Sequence, residues 1–294
     1  MTVKRTAIQI RDPFILPLPA AGRYVLFGTT DKNAWNGPGH GFDCYTSGDL
    51  ETWEGPLPAF RPPPGFWSNT QYWAPECHAW RGRYFLFASF SRDERGRGTQ
   101  ILVADRPEGP YRPHSDGPVT PRAWECLDGT LWADDTGRPW LVFCHEWVQV
   151  TDGTICALPL RDDLSAAAGE PTLLFAGSAA VWAKPYESHG RQGNYVTDGP
   201  FLYRGAGGRL FMLWSTLGYE GYALGYAVSP SGNVLGPWQQ TPTPLFTQDG
   251  GHGMLFRTFA GQLMLTLHAP NRTPHERPHF FAVEEARGEL RLKA

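Results

Sequence analysis

A short turn followed by an apolar run recurs five times along the chain, and this repeat limits the folds that the chain can adopt. Each turn contains a Gly-Arg or Gly-Gln pair, and successive turns lie about 50–70 residues apart. The turn glycines are Gly22, Gly82, Gly137, Gly208 and Gly261. A period of tens of residues indicates an architecture of similar units packed side by side.

Each repeat reads as a series of short strands. In the second repeat the strands are expected at residues 76–80, 84–90 and 99–105, with an outer strand near 108–111. Four antiparallel strands in each of five repeats predict an all-β fold, a five-bladed β-propeller. A β-sandwich does not impose such a repeat, and residues 162–169 are the one candidate for a helical turn. No linker of distinct composition divides the chain, so one catalytic domain over residues 1–294 is expected.

Composition excludes several classes of function. The net charge of −3 with scattered basic residues argues against a nucleic-acid partner, and no run approaches the ~20 apolar residues of a membrane helix. Five cysteines without a Cys-x-x-Cys pair argue against a disulfide framework and a zinc site. The first residues lack the features of a signal peptide, so a cytoplasmic protein is expected unless a leader has been removed. The oligomeric state is left open.

One polar residue lies shortly before each turn, at the start of the first strand of the repeat. In a propeller the first strand starts on the face where the second strand ends. These residues are therefore expected to surround one mouth of the channel: Asp12, Glu76, Asp128, Asp198 and His252. The surrounding loops are expected at residues 29–35, 89–95, 145–147, 215–220 and 268–271.

Several carboxyl groups around an aromatic pocket predict glycoside hydrolysis. One carboxylate activates water or attacks the sugar while a second carboxyl protonates the leaving oxygen, which requires two different environments. Trp35 and Trp73 lie near the predicted face and provide apolar surfaces for sugar rings. The alternative is that Asp12 closes an Asx turn before Pro13 and that Asp128 is an ordinary turn residue.

The segments that open the repeats resemble, in order, the motifs of glycoside hydrolase family 43. These segments are Arg11-Asp12-Pro13-Phe14, Trp73-Ala74-Pro75-Glu76, Leu127-Asp128-Gly129-Thr130, Thr197-Asp198-Gly199-Pro200-Phe201 and Gly251-His252-Gly253. The resemblance implies a five-bladed propeller that hydrolyses glycosidic bonds with inversion, mostly in arabinose- and xylose-containing glycans. It also implies that Asp12 is the general base, that Asp128 tunes the pKa of the acid, and that Asp198 stands at the general-acid position.

Asp198 departs from the family pattern, because the acid is normally glutamate. Its carboxyl is one methylene closer to the backbone, and a misplacement of about 1 Å can cost about a hundredfold in rate. Glu146, Glu187 and Glu220 lie in or near the predicted loops and are alternative acids. A second hypothesis is a carbohydrate-binding propeller with weak or no catalysis. The leading hypothesis is an exo-acting arabinofuranosidase or β-xylosidase, with a galactofuranosidase, fructan hydrolase or phosphorylase as alternatives.

Further residues are assigned to substrate binding and to a metal ion. The oligosaccharide substrate is expected to contact Trp35, Trp73, Glu76, Glu146, His252 and His268. The resemblance implies that His252 faces a calcium ion or a water cluster in the channel. Calcium prefers oxygen ligands, so an ion beside a single histidine is expected to be mostly hydrated. No cofactor is required for the reaction, and a structural calcium remains the alternative.

Overall fold

The protein is built almost wholly of β-strands. The computed structural model describes residues 1–92, 96–188 and 190–293. In these ranges the helical segments are α1 (Trp147–Val150) and three 3₁₀ turns, at Arg5–Ala7, Pro19–Ala21 and Gly177–Ala179. Residues 162–169, the helix candidate, instead form turns and bends. Among the described residues no helix is long and apolar enough to cross a bilayer.

Five antiparallel sheets follow one another along the chain. The first has β1 (Thr2–Lys4), β2 (Arg11–Leu18), β3 (Arg23–Thr29), β4 (Phe42–Ser47) and β5 (Thr52–Phe60). The second has β6 (Thr70–Trp80), β7 (Arg83–Arg92), β8 (Gly96–Ala104) and β9 (Arg112–Pro113). The third has β10 (Cys126–Ala133), β11 (Pro139–His145), β12 (Thr154–Pro159) and β13 (Thr172–Ala176).

The last two sheets follow a separate hairpin of β14 (Tyr186–Ser188) and β15 (Arg191–Asn194). The fourth sheet has β16 (Asp198–Arg204), β17 (Leu210–Gly218), β18 (Gly221–Ser229) and β19 (Gln239–Gln240). The fifth has β20 (Gly251–Arg257), β21 (Leu263–Ala269), β22 (Arg277–Ala286) and β23 (Glu289–Leu292). In each sheet the strands are ordered outward from the first, and β1 adds to the outer edge of β5.

The first strands of the sheets form a closed ring. β2 contacts β6 and β20, β10 contacts β6 and β16, and β16 contacts β20. Ring closure between the first and fifth sheets also uses Arg277, whose Nε donates to the carbonyl of Thr6 at 3.0 Å. Apolar clusters fill the space between adjacent sheets, and one of them joins Met254 and Phe256 to the first two sheets. The fold is therefore the five-bladed β-propeller that the repeat predicts.

The repeated turn glycines connect the first and second strands of the sheets. All five have positive φ, between +59° and +81°, and a Cβ built on any of them meets no atom within 4 Å. Glycine is therefore required there by its backbone conformation rather than by lack of space, since other residues adopt positive φ at a cost. The repeat in the sequence thus marks a repeated left-handed turn.

Each innermost strand contains a bulge near its start, with one residue in the left-handed conformation. These residues are Asp12 (φ 52), Ala74 (φ 46), Asp128 (φ 56), Gly199 (φ 52) and His252 (φ 48). In every sheet the pairing shifts at this point, so that two residues oppose one on the second strand. Of the polar residues predicted to surround the channel mouth, Asp12, Asp128 and His252 occupy this left-handed position. Asp198 comes one residue before it and Glu76 two residues after it.

In four blades the backbone N–H of the left-handed bulge residue donates a hydrogen bond to a side chain of the preceding blade. The backbone N–H of Ala74 donates to Thr29 Oγ1, and that of His252 to Ser215 Oγ, both at 2.8 Å. Asp128 N–H donates to Ser89 Oγ at 2.8 Å, and Asp12 N–H donates to the Nδ1 atom of His268 at 3.1 Å. These acceptors lie at equivalent positions near the ends of the second strands.

Removing one of these hydroxyl acceptors should destabilise the fold. Ser89 and Ser215 are fully buried, so replacement by alanine leaves a buried N–H without its partner. We expect Ser89→Ala and Ser215→Ala each to lower the free energy of unfolding by about 1–3 kcal/mol. Urea denaturation measures this, with the exposed Ser231→Ala as control, expected within about 0.5 kcal/mol of wild type. Equal stability of all three variants would contradict the structural role of the hydroxyls.

Candidate active site

A pocket of about 520 Å³ opens where the innermost strands begin. Apart from Glu76 and His268, the site residues predicted from the sequence all line it: Asp12, Trp35, Trp73, Asp128, Glu146, Asp198 and His252. Residues 93–95 of the second predicted loop lie outside the described residues. The pocket thus gathers four carboxyl groups from the first, third and fourth blades beside three indole rings, those of Trp35, Trp73 and Trp147.

Asp12 is held in the ionised state. Its Oδ2 accepts a hydrogen bond from Thr29 Oγ1 at 2.7 Å, and its Oδ1 lies 3.2 Å from His252 Nδ1. Burial favours the neutral acid, but the positive charges of His252 and Arg11 overcome it and lower the pKa of Asp12. A carboxylate with a lowered pKa in a pocket can accept a proton from water.

His268 lies behind Asp12 as a neutral ring. Because its Nδ1 accepts the N–H of Asp12, the ring proton is on Nε2, which lies 3.2 Å from Asn271 Oδ1. Burial first, and then the charge of Arg11, lower the pKa of His268 to about 3. The fully buried ring stacks on Tyr222 at 5.7 Å between centroids. His268 therefore supports the backbone of Asp12 and does not reach the pocket surface.

His252 bridges two of the aspartates. Its Nδ1 lies 3.2 Å from Asp12 Oδ1 and 3.7 Å from Asp128 Oδ2. Burial opposes a charge on this ring, but the surrounding carboxylates of Asp12, Asp128 and Asp198 raise its pKa. Among the described residues no group of three or more His, Cys, Asp or Glu side chains is arranged to hold a metal ion. The geometry is that of an imidazolium between carboxylates.

Asp128 has the opposite environment to Asp12. Burial first, and then the negative charges of Asp198 and Asp12, raise its pKa to about 8, although His252 acts in the other direction. Its Oδ2 accepts the backbone N–H of Gly199 at 3.0 Å. Asp128 therefore ionises at a higher pH than Asp12.

In the fourth blade the bulge residue Gly199 donates its N–H to Asp128 and not to a hydroxyl group, as the bulge residues of the second, third and fifth blades do. At the register position of Ser89 and Ser215 the third blade has Cys144, because Cys144 pairs with Leu127 as Ser89 pairs with Trp73. A thiol is a weak acceptor, and Gly199 N–H instead donates to the carboxylate of Asp128. The backbone next to Asp198 is thus joined directly to Asp128.

Asp198 is a buried carboxyl group at the start of β16. Tyr222 Oη donates to its Oδ2 at 2.9 Å. Burial raises the pKa of Asp198, and the charge of Asp12 adds to this, against the opposing effects of His252 and Tyr222. The pKa of Tyr222 is itself raised by burial and by Asp198, so the phenol keeps its proton and remains a donor. Asp198 can therefore hold a proton for transfer.

Glu146 is a second buried carboxyl group that can carry a proton. It forms an ion pair with Arg97 and lines the same pocket as Asp198. Burial first raises its pKa to about 7, with a contribution from Asp198 and opposition from Arg97. The two other glutamates proposed as acids, Glu187 and Glu220, are exposed and do not line the pocket.

One wall of the pocket is a row of two adjacent indole rings with an arginine at each end. The guanidinium carbon of Arg11 lies 4.8 Å from the ring centre of Trp35, which meets Trp73 edge to face at 5.2 Å. Arg97 lies over the other side, 4.3 Å from the ring centre of Trp73. Arg11 is in turn anchored to the fully buried Glu276 at 2.8 Å. The row gives the pocket a rigid aromatic surface of the kind that sugar rings pack against.

Comparison with known proteins identifies the family. The family model described as Glycosyl hydrolases family 43 matches residues 6–282. The chain is a family 43 glycoside hydrolase. The crystal structure of an endo-arabinase from Bacteroides thetaiotaomicron is 41% identical to it, with a TM-score of 0.91 and 98% of both chains covered.

Two further relatives are similar over different extents. The xylosidase/arabinosidase 43A of Humicola insolens is 30% identical over 82 residues, which are 28% of this chain and 24% of that protein. An α-L-arabinofuranosidase from Lactobacillus brevis is 18% identical with a TM-score of 0.74, covering 95% of this chain and 92% of that one. At that identity the second comparison supports the propeller fold alone.

In this family 43 hydrolase Glu76 is buried on β6, the innermost strand of the second blade, and does not line the pocket. Its Oε2 accepts a hydrogen bond from Thr130 Oγ1 and lies 3.1 Å from His78 Nε2. Its position two residues after the bulge removes it from the pocket lining. Glu76 therefore joins the second and third blades and has no surface in the pocket.

Arg11, Arg97 and Tyr222 are among the pocket residues that the sequence does not assign to the site. Arg11 directly precedes Asp12, and that adjacency was the available signal. Arg97 follows a charged segment that reads as solvent-exposed, and Tyr222 opens β18 after a turn. Their partners are distant in sequence: Glu276 for Arg11, Glu146 for Arg97 and Asp198 for Tyr222.

Proposed function

We propose that the chain is an inverting glycoside hydrolase that releases terminal arabinofuranose or xylose from plant-type oligosaccharides. The observation that carries this proposal is the contrast between the aspartates of one pocket. The pKa of Asp12 is lowered, whereas burial raises the pKa values of Asp128 and Asp198. Two carboxyl groups with such different environments supply a base and an acid at the same pH.

In the proposed reaction Asp12 removes a proton from a water molecule as its oxygen attacks the anomeric carbon. The glycosidic C–O bond breaks, and the leaving oxygen takes the proton of Asp198. Asp128 is joined to the backbone beside Asp198, and the two carboxyl groups oppose each other's ionisation, since the charge of Asp198 raises the pKa of Asp128. Product of inverted anomeric configuration, detected by NMR at early times, tests this scheme, and a retained anomer would refute the water-activating role.

The position of cleavage has two candidates. A pocket of about 520 Å³ around the carboxyl groups favours removal of terminal sugars, whereas the 41% identical structure is that of an endo-arabinase. Linear arabino-oligosaccharides separate the two modes. Arabinose as the sole early product supports exo action, and a mixture of shorter oligosaccharides supports endo action. Oligosaccharide binding in calorimetry without turnover of any aryl glycoside would instead support a binding propeller.

We propose that catalysis requires no metal ion in the channel. A calcium ion does not suit these residues, because His252 directs Nδ1 at two carboxylates and its pKa is raised. We expect excess EDTA to leave kcat unchanged, and calcium added afterwards to have no effect. Loss of activity in EDTA that calcium restores would place a metal ion in the channel.

The pH dependence of kcat/KM should be bell-shaped with a broad plateau. Asp12 has a lowered pKa, so the base is protonated and activity is lost only below about pH 4. The proposed acid Asp198 has a raised pKa, so activity falls on the alkaline side, above the pH range in which an ordinary carboxyl group titrates. Asp128 and Asp198 repel each other when both are ionised, so Asp128→Asn should move the alkaline limb to lower pH. An unchanged alkaline limb would contradict the coupling of Asp128 to the acid.

A further inference from the structure

A second cavity of about 730 Å³ lies beside the active-site pocket. It is formed where β8 begins and by the two connections that join the second blade to its neighbours. These segments lead to or from the ends of strands on the face that bears the pocket. Its lining includes Phe66, Trp67, Gln100, Ser115, Trp124 and Arg97. A volume of this size is in the range of small-molecule binding sites, about 300–1,000 Å³.

Arg97 joins the cavity to the active-site pocket, since it lines both. Its guanidinium is held on the pocket side by Glu146 and Gln71 and lies over Trp73. Arg97 is therefore a fixed side chain at the boundary of both spaces. A chain whose terminal sugar occupies the pocket can continue past Arg97 into the second cavity.

The aromatic rings of the cavity are fixed in place before any ligand binds. Trp124 stacks on His145 with centroids 4.1 Å apart and an interplanar angle of 7°. Trp67 Nε1 donates to Gln100 Oε1 at 2.6 Å, and Gln100 Nε2 donates to the carbonyl of Ser115 at 3.0 Å. Preorganised rings lose little entropy when a ligand packs on them.

The charges of the cavity suit an uncharged ligand. The charge of Arg97 is paired with Glu146, and the exposed Arg122 is balanced by the exposed Asp116. No surplus of positive charge remains among these described residues for a phosphate or a uronic acid. Aromatic surface with few free charges is the combination that neutral sugars use.

We propose that this cavity binds the uncharged sugar chain on the leaving-group side of the scissile bond. The inference rests on the proposed function, because that function places the terminal sugar beside Asp12 and Asp198. The proposed substrate is therefore an oligosaccharide of several neutral sugars. Sugars beyond the cleaved bond are expected to increase its affinity.

The test is the ratio of kcat/KM for an arabino-pentasaccharide to that for the disaccharide. We expect the wild type to prefer the pentasaccharide about tenfold, and Trp124→Ala to bring the ratio close to one, as loss of one aromatic contact predicts. Trp80→Ala is the matched control, since this half-buried indole lies at the opposite end of the second blade. It should keep the wild-type ratio. An unchanged ratio in Trp124→Ala would overturn the proposal.

Loss of Trp124 could disturb the fold, because its ring stacks on His145, so a second variant is tested that leaves Trp124 in place. Asp116→Trp adds bulk at an exposed position of the cavity lining and should also abolish the length preference. Calorimetry on Asp12→Asn with the same two oligosaccharides separates this inference from the proposed function. Affinity that increases with length in Asp12→Asn supports the cavity, and absence of hydrolysis by the wild type would then refute the proposed function alone. Affinity independent of length refutes the cavity.

Discussion

Asp12→Asn is expected to lower kcat between about 10² and 10⁴-fold without unfolding the protein. Asparagine keeps an oxygen that can accept the Thr29 hydroxyl, and the backbone N–H still reaches His268. The amide cannot accept a proton from water, so the water nucleophile is not activated. Steady-state rates on an aryl arabinofuranoside measure the loss, and far-UV circular dichroism reports on the fold.

The control for this result is an aspartate with no role in the pocket. Asp162 is 70% exposed and pairs with Arg81 on the surface. Asp162→Asn should retain the wild-type kcat. If Asp12→Asn also retained it, Asp12 would not be the base. A large loss accompanied by a collapse of the circular dichroism spectrum would mean instead that the charge of Asp12 is needed for folding.

The fold was predictable because its signal is local. Gly22 and Gly82 mark left-handed turns that the chain must make between the first two strands of a blade. Such a turn selects glycine by backbone conformation, whatever the rest of the molecule does. Apolar runs after each turn then supply the strands, and a repeat of this kind has few ways to bury its faces other than a closed ring.

The positions of the site residues relative to the bulges were harder to predict. The bulge adds a residue to each innermost strand, and the left-handed position falls on Asp12 and Asp128 but on Gly199 rather than Asp198. Alternation of polar and apolar residues does not reveal where such an extra residue lies. The sequence therefore predicted a set of equivalent carboxylates, whereas Asp198 and Glu76 occupy different positions.

The interactions that set the protonation states were not predictable from sequence at all. The ion pair of Arg97 with Glu146 joins different blades, and the hydrogen bond from Tyr222 to Asp198 joins different strands of one blade. No local pattern encodes either. They arise because the propeller brings the beginnings of distant strands together around one pocket, where burial removes the water that would otherwise solvate these groups.

Asp198→Asn and Glu146→Gln should differ in how their effects depend on the leaving group. Asparagine at position 198 cannot donate a carboxyl proton, so hydrolysis of an oligosaccharide should fall by about 10²–10⁴-fold. Dinitrophenyl glycosides, whose leaving group departs without protonation, should lose far less. Glu146→Gln is isosteric and removes the charge that pairs with Arg97. We expect it to raise KM for both substrates alike.

Glu146 serves as the matched control because it is buried in the same pocket, and its pKa is also raised, to about 7. The pH profile adds an independent readout. Loss of the acid removes the alkaline limb of kcat/KM, so Asp198→Asn should have a flat profile at high pH while Glu146→Gln keeps the fall. The reverse pattern would assign the acid to Glu146, and the aspartate at position 198 would then hold Tyr222 rather than donate a proton. Such an outcome would also explain how the pocket tolerates the shorter side chain at a position where the family normally has glutamate.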